Sequence, residues 1–148
     1  MKYSRENAYF EEIEHTADTG IKSYASSLPQ LFSNMAYGMF SLIFGTLSPK
    51  AEKKYKLSFS ATSYEGLLIE WLTEINFLLT VRHFIIAAYT DIEITRENSS
   101  CKISAVLWGE ETNRYDTRIR TEIKAVTWHQ LTIKKKARGF STQVIFDI

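Results

Sequence analysis

The chain has 148 residues, of which 45% are hydrophobic and 24% charged, as in ordinary globular proteins, so we expect one domain over residues 1–148. Eighteen basic residues nearly balance 17 acidic ones, which removes the simplest argument for a dedicated nucleic-acid binder. The one cysteine excludes an internal disulfide and a cysteine-based metal site. No apolar stretch follows the charged residues at the N-terminus. The longest apolar face, residues 28–45, contains several polar side chains. We therefore expect a cytoplasmic protein with no signal peptide and no membrane contact.

The first elements in chain order are two short strands. Residues 10–14 and 20–25 have strand-like patterns, and a polar segment that ends in Gly20 separates them. Such a segment is typical of a turn. The pattern therefore predicts a β-hairpin with Asp18 near its tip.

Two amphipathic helices follow the hairpin. Ser27 can cap the first helix, with Gln30 three residues later as in a capping box. Apolar residues then recur every three or four positions up to Phe44, which predicts a helix with one face in the core. Ser63 can cap a second helix over roughly residues 64–80, which has its own apolar stripe.

The remaining elements are predicted strands. One lies between the helices at residues 55–61, where apolar and polar side chains alternate. The other strand-like segments are residues 84–95, 101–108, 122–135 and 141–146, with a turn at 96–100 and a polar loop at 109–118. The sequence therefore predicts an α+β fold, with two helices packed on a largely antiparallel β-sheet.

Charge is distributed unevenly along the chain. Residues 57–113 contain eight acids and three bases, whereas residues 114–148 contain eight bases and three acids. Solvated strand faces and turns explain most such divisions. The alternative is a basic surface that meets RNA or an acidic partner protein.

The common catalytic signatures are absent from the sequence. It has no glycine-rich phosphate loop, no His-Glu-x-x-His motif and no Gly-x-Ser-x-Gly elbow. Cys101 begins an alternating strand, and we expect it to be a core or edge residue. His83 lies in a helix-to-strand connection, where we expect a surface or packing role without a charged partner.

Two segments carry side chains that can bind a cation. Glu14, His15, Thr16 and Asp18 lie close together in sequence, although a turn that satisfies its own backbone N–H groups is the simpler interpretation. Asp147 is one residue from the last position, where a solvated tail is the simpler interpretation. If this end met the Asp18 turn, converging carboxylates would need a cation. Oxygen ligands would favour calcium or magnesium.

Several motifs together resemble the archease family over essentially the whole chain. The matching segments are Glu14-His15-Thr16-Ala17-Asp18 with Gly20-Ile21, Leu67-Leu68 with Trp71-Leu72 and Glu74, Gly109-Glu110, residues 122–129 (EIKAVTWH), and residues 144–148 (VIFDI). The chain departs from the family pattern at Thr19, at Trp128 and at Asn76-Phe77. None of these departures affects the carboxylates.

The resemblance implies a non-catalytic accessory factor of the RtcB-type RNA ligase, active in tRNA splicing and RNA repair. Such a factor promotes guanylylation of the ligase and its multiple turnover, and it contacts tRNA or RNA ends indirectly. The sequence leaves open whether it touches RNA directly. The family's divalent-metal site maps onto Asp18, Asp147 and the main chain of Ile148, with calcium expected first and magnesium second.

The resemblance also points to residues with secondary roles. His15 flanks the metal site as a weaker candidate. Lys124 is a candidate functional base, and Thr127 and His129 are further candidates in the same motif. The sequence leaves the oligomeric state open.

Two other classes of function stay open at this stage. A small metal-dependent hydrolase would have the carboxylates, but His15 is the only local candidate for its general base. A general chaperone or an RNA-binding module would fit the basic C-terminal quarter and the 14% aromatic content. The near-neutral net charge argues against this second class, the general chaperone or RNA-binding module.

Overall fold

Two helices and nine strands form the chain in a computed structural model that describes residues 1–14 and 19–148. The helices are α1 (Leu28–Phe44) and α2 (Tyr64–Thr80). The strands are β1 (Lys2–Tyr3), β2 (Glu11–Glu14), β3 (Thr19–Ala25), β4 (Lys53–Ala61), β5 (Phe84–Glu97), β6 (Ser100–Glu111), β7 (Ala125–Val126), β8 (Lys134–Lys136) and β9 (Gly139–Asp147). This arrangement confirms the predicted α+β class and both helices.

The strands form two sheets, and every pairing is antiparallel. The first sheet has the order β1-β5-β6-β4. The second sheet has the order β2-β3-β9-β7, and β8 also pairs with β9. The last strand is therefore an interior strand of the second sheet, although it is the last element of the chain.

Helix α1 lies between the two sheets, and almost its whole surface is buried. Its Tyr37 ring meets Tyr89 of the first sheet edge to face at 5.2 Å between ring centres. On the other side, Gly38 lies against Ile21 of the second sheet so closely that an added methyl group would come within 2.7 Å of an Ile21 methyl carbon. Burial on both sides joins the sheets and α1 into one continuous core.

Helix α2 buries only one face, against α1 and the first sheet. Its Trp71 indole N–H donates to the Phe32 carbonyl oxygen of α1 at 2.9 Å, and the ring packs against Tyr89. Ser63 caps the helix by accepting a hydrogen bond from the Gly66 N–H, as predicted. Neither helix of the described residues is long and apolar enough to cross a bilayer.

The prediction of a β-rich segment over residues 122–135 is correct only at two short strands, β7 and β8. Between them, two backbone N–H groups bond to partners outside β9 and do not continue the ladder. The Leu131 N–H bonds back to the Trp128 carbonyl oxygen at 3.1 Å, and the Ile133 N–H bonds to the Glu65 carboxylate at 2.9 Å.

The predicted polar loop at 109–118 begins too early. Gly109 to Glu111 complete strand β6, and Glu110 is buried there. The prediction for Cys101 is confirmed, because the thiol is fully buried in the core. The prediction for His83 is wrong in one respect: its Nδ1 atom lies 3.0 Å from an Asp116 carboxylate oxygen.

Candidate functional site

The first hairpin and the last strand lie side by side. Strand β3 is paired over its whole length with residues 140–146 of β9, so that Thr19 is opposite Phe146. Glu14 is opposite Thr19 on the other side. Phe146 directly precedes Asp147, and Thr19 is the next residue after Asp18 in the sequence. One end of the second sheet therefore gathers residues that are about 130 positions apart in the chain.

Two of the predicted site residues, His15 and Asp18, lie outside the described residues. Asp147 and Ile148 are both exposed, and Ile148 retains 48% of its surface accessible. Within residues 1–14 and 19–148, no three histidine, cysteine, aspartate or glutamate side chains form a group that could hold a metal. The metal site therefore stays a prediction.

A short segment, residues 124–127, fixes the end of β9, and we call it the terminal clamp. The Lys124 N–H donates to the Asp147 carbonyl oxygen at 2.7 Å. The Ile145 carbonyl oxygen accepts two hydrogen bonds from Thr127, one from its hydroxyl at 2.7 Å and one from its N–H at 3.1 Å. These bonds hold the main chain of Asp147 in a defined place while its carboxylate stays in solvent.

The terminal clamp is itself attached to helix α2. Ile123, directly before it, is buried in the core. The Asn76 side-chain amide of α2 donates to the Ile123 carbonyl oxygen at 3.0 Å. In the sequence, Asn76 stands out only as a departure from the family pattern. Local sequence does not single out this role, because Thr73 and Thr80 also directly follow buried residues of α2.

The other predicted residues of this motif differ in what their side chains do. The Lys124 side chain is exposed, as its strand pattern predicts, so its ammonium group can meet a partner. The Thr127 hydroxyl is already used by β9, whereas the His129 ring is exposed. Trp128 is 59% exposed, and its indole lies over Gly66 at the start of α2.

The Gly109-Glu110 motif lies in the first sheet, where Glu110 connects two neighbouring segments by hydrogen bonds. The buried Glu110 carboxylate accepts a hydrogen bond from the Lys50 N–H at 2.6 Å and another from the Arg114 guanidinium at 2.6 Å. A buried carboxylate needs such partners because leaving it unpaired is costly. Glu110 therefore ties the segments before β4 and after β6 to the sheet.

These features define a class of protein: a two-sheet α+β fold in which a clamped C-terminal strand presents an acidic residue at the sheet end. The family model described as the Archease protein family (MTH1598/TM1083) matches residues 10–148. The chain therefore belongs to the archease family, as its motifs predict.

Individual relatives agree with this assignment. The chain is 34% identical to Protein archease of Methanosarcina acetivorans over 139 residues, which cover 94% of this chain and 95% of the relative. It is 33% identical to Protein archease of Saccharolobus solfataricus, with 94% and 98% of the two chains covered.

Two solved structures have the same fold. The solution structure of Methanobacterium thermoautotrophicum protein 1598 matches with a TM-score of 0.79 and 26% identity, over 94% of this chain and 98% of that one. The crystal structure of an archease and possible chaperone from Thermotoga maritima matches with a TM-score of 0.56 and 20% identity, over 93% and 96% of the chains.

Proposed function

We propose that this protein is a non-catalytic activator of an RtcB-type RNA ligase, which it assists in guanylylation and multiple turnover during tRNA splicing and RNA repair. Family membership supports this proposal, since the resemblance that implies the role extends over residues 10–148. The observation that carries it is the clamped end of β9, where Asp147 is exposed and beside the start of β3.

A divalent cation, calcium or magnesium, is part of the proposal. The donor set fits it, because the Asp147 carboxylate is exposed and the main chain of Ile148 is adjacent, and both offer hard oxygen ligands. Asp18 would complete the set, as it precedes Thr19, the residue opposite Phe146. A bound cation would supply positive charge that offsets the charge of nucleotide phosphates.

The protein's own contribution is to place and hold these groups. The terminal clamp removes the conformational freedom of the last residues, which would otherwise have to be lost on binding. The exposed Lys124 side chain gives the same end of the sheet a positive group for phosphate or an acidic partner surface. His129, whose ring is exposed in the same motif, is a second-line candidate for contact with the ligase.

The decisive measurement is multiple-turnover ligation by the ligase with and without this protein. We expect stimulation by the wild type and its loss in Asp147→Ala, while Glu97→Ala, an exposed acid at the far end of β5, serves as the matched control. Calorimetric titration with calcium and magnesium should show the same pattern. Unaltered metal affinity in Asp147→Ala would overturn the proposed site.

Two further variants test whether the ligands act as one unit. Asp18→Ala should also abolish metal binding, and the double variant should be little worse than either single variant, because groups that share one ion are not additive. A few residues appended after Ile148 should impair stimulation, since they add bulk next to the proposed ligands Asp147 and Ile148. Full activity of the extended protein would remove Ile148 from the site.

The same assay separates the rival functions. A chaperone would raise the fraction of active ligase without changing the turnover of the ligase that is already folded. A metal-dependent hydrolase would turn over nucleotides or RNA without any ligase. The activator proposal predicts neither result.

A further inference from the structure

An open groove of about 710 Å³ lies on the second sheet, on the face that points away from helix α1. We call it the sheet groove. Its floor is formed by outward-facing residues of the paired strands β3 and β9, namely Lys22, Tyr24, Ser141 and Gln143. Its two walls are formed by Tyr9 and Glu11 on one side and by Gln130, Thr132 and Lys134 on the other.

Buried hydroxyl groups hold both walls in place. Ser23 and Thr142 are register partners on β3 and β9, and both are buried. The Ser23 hydroxyl donates to the Tyr9 carbonyl oxygen at 2.6 Å, and the Thr142 hydroxyl donates to the Thr132 carbonyl oxygen at 3.0 Å. The groove is therefore preformed, and a ligand does not have to order it.

The groove and its surroundings are basic. Residues 131–146, which form one wall, β8 and most of β9, contain four basic residues and no acid. Lys22 and Lys134 line the groove, and Lys136 is on the same face of β8 as Lys134 because side chains alternate along a strand. The acid among the described lining residues, Glu11, is opposite Lys22 and accepts a hydrogen bond from the Tyr9 hydroxyl.

The groove also carries exposed aromatic rings beside neutral hydrogen-bonding groups. Tyr24 is 41% exposed on the floor and Tyr9 is 49% exposed on the wall. Gln130 and Gln143 contribute side-chain amides, each of which can donate and accept hydrogen bonds. Lysines, stacking rings and amides on an open sheet face are the groups with which proteins bind unpaired nucleotides.

From this combination we propose that the sheet groove binds single-stranded RNA directly, with bases stacked on Tyr24 and Tyr9 and phosphates near Lys22 and Lys134. An acidic peptide would use the lysines and could bond to the amides, but it would leave the faces of Tyr24 and Tyr9 without a stacking partner. The groove shares no residue with the candidate metal site. The choice of RNA over DNA rests on the proposed function. Binding of an unpaired nucleic acid strand is inferred only from the residues of the groove.

The position of the groove fits an RNA strand that leads to the ligase. Gln143 on the floor is four residues before Asp147 on the same strand, which corresponds to about 13 Å of extended backbone. A strand of RNA in the groove would thus have its end near the clamped tip of β9. Direct contact with RNA differs from the indirect contact that the family resemblance implies.

The first experiment measures the role of the aromatic floor. Fluorescence anisotropy with a labelled single-stranded RNA of mixed sequence gives the affinity of the isolated protein for RNA. The RNA is about ten nucleotides long, because one single-strand-binding domain typically covers about 4 to 16 nucleotides. Tyr24→Leu should weaken binding by about 5- to 100-fold, the range measured for a lost base–aromatic stack. Tyr24→Phe should bind nearly as well as the wild type, because it retains the ring.

The second experiment measures the role of the lysines. The double variant Lys22→Gln with Lys134→Gln should reduce the slope of log affinity against log salt by about 1.4, since each phosphate contact on a single strand contributes about 0.7. The matched control is Lys54→Gln with Lys56→Gln, two exposed lysines on the first sheet. The control should leave the slope unchanged.

Several results would overturn the proposal. They are no binding at about 100 μM protein, equal losses in both lysine pairs, or equal affinity for a duplex of the same length. If the Lys22 and Lys134 pair matters, Tyr24→Leu has no effect and a polyglutamate peptide competes, the groove takes an acidic protein partner instead. Asp147→Ala should bind RNA like the wild type, so failure of the metal site and failure of the groove are separable.

Discussion

The hydroxyl of Thr127 offers a direct test of how the terminal clamp works. Thr127→Val keeps the shape of the side chain but removes the 2.7 Å hydrogen bond to the Ile145 carbonyl oxygen. That oxygen still accepts the Thr127 N–H at 3.1 Å, so no buried acceptor is left without a partner. The His129 N–H, which bonds to the same hydroxyl at 3.3 Å, belongs to an exposed residue and can bond to water.

The expected cost is therefore the net value of one hydrogen bond. This is about 0.5–1.5 kcal/mol of unfolding free energy, without a desolvation penalty. For a chain of this length it corresponds to a fall in melting temperature of about 1–6 °C. If the loss is local, the opening that exposes the Lys124 N–H should become about 2- to 12-fold more populated.

Thermal unfolding and amide hydrogen exchange of the same samples measure both quantities. Thr127→Ser keeps the hydroxyl and should exchange like the wild type at Lys124. Thr95→Val, on the exposed surface of β5, is the control for adding a valine to a strand. If Thr127→Val matched the wild type in both melting and exchange, the hydroxyl would not hold the strand end. A loss well above 3 kcal/mol would mean that the whole second sheet depends on it.

Three further predictions follow from individual side chains. Lys124→Ala should change the unfolding free energy by no more than about 0.5 kcal/mol, because the backbone hydrogen bond to Asp147 persists. It should nevertheless weaken stimulation of the ligase, whereas the control Lys102→Ala, at another exposed lysine, should not. Equal stimulation by the two variants would contradict this prediction. Cys101→Ser should lower the unfolding free energy by about 1–3 kcal/mol in denaturant titration, because it places a hydroxyl group in the buried core. The variant should still stimulate the ligase in the ligation assay. Burial raises the pKa of Tyr37 and Tyr89, so the folded state holds their hydroxyl protons more tightly than the unfolded state does. The stability that they contribute is present below pH 10 and is lost as pH rises above it, and Tyr37→Phe should reduce that loss by up to about 1.4 kcal/mol per pH unit in denaturant titrations.

The sequence by itself determined the elements whose patterns are local. Ser27 and Ser63 mark the starts of the helices, because a cap bonds to an N–H only three residues away. The apolar period of α1 and the alternation in β4 are equally local, so both elements were predicted close to their observed bounds. The motif around Lys124 marks the segment that holds the end of β9, but the sequence does not show which of its atoms form the hydrogen bonds.

Only the tertiary structure decided how these elements meet. Residues 122–135 look like one strand, but between β7 and β8 the Leu131 N–H bonds within a local turn and the Ile133 N–H bonds to the Glu65 carboxylate of a distant helix. The attachment of Asn76 to Ile123 and the sheet groove likewise depend on residues far apart in the chain. Such contacts leave no periodic trace in sequence, because periodicity records which face of an element is buried and not what covers it.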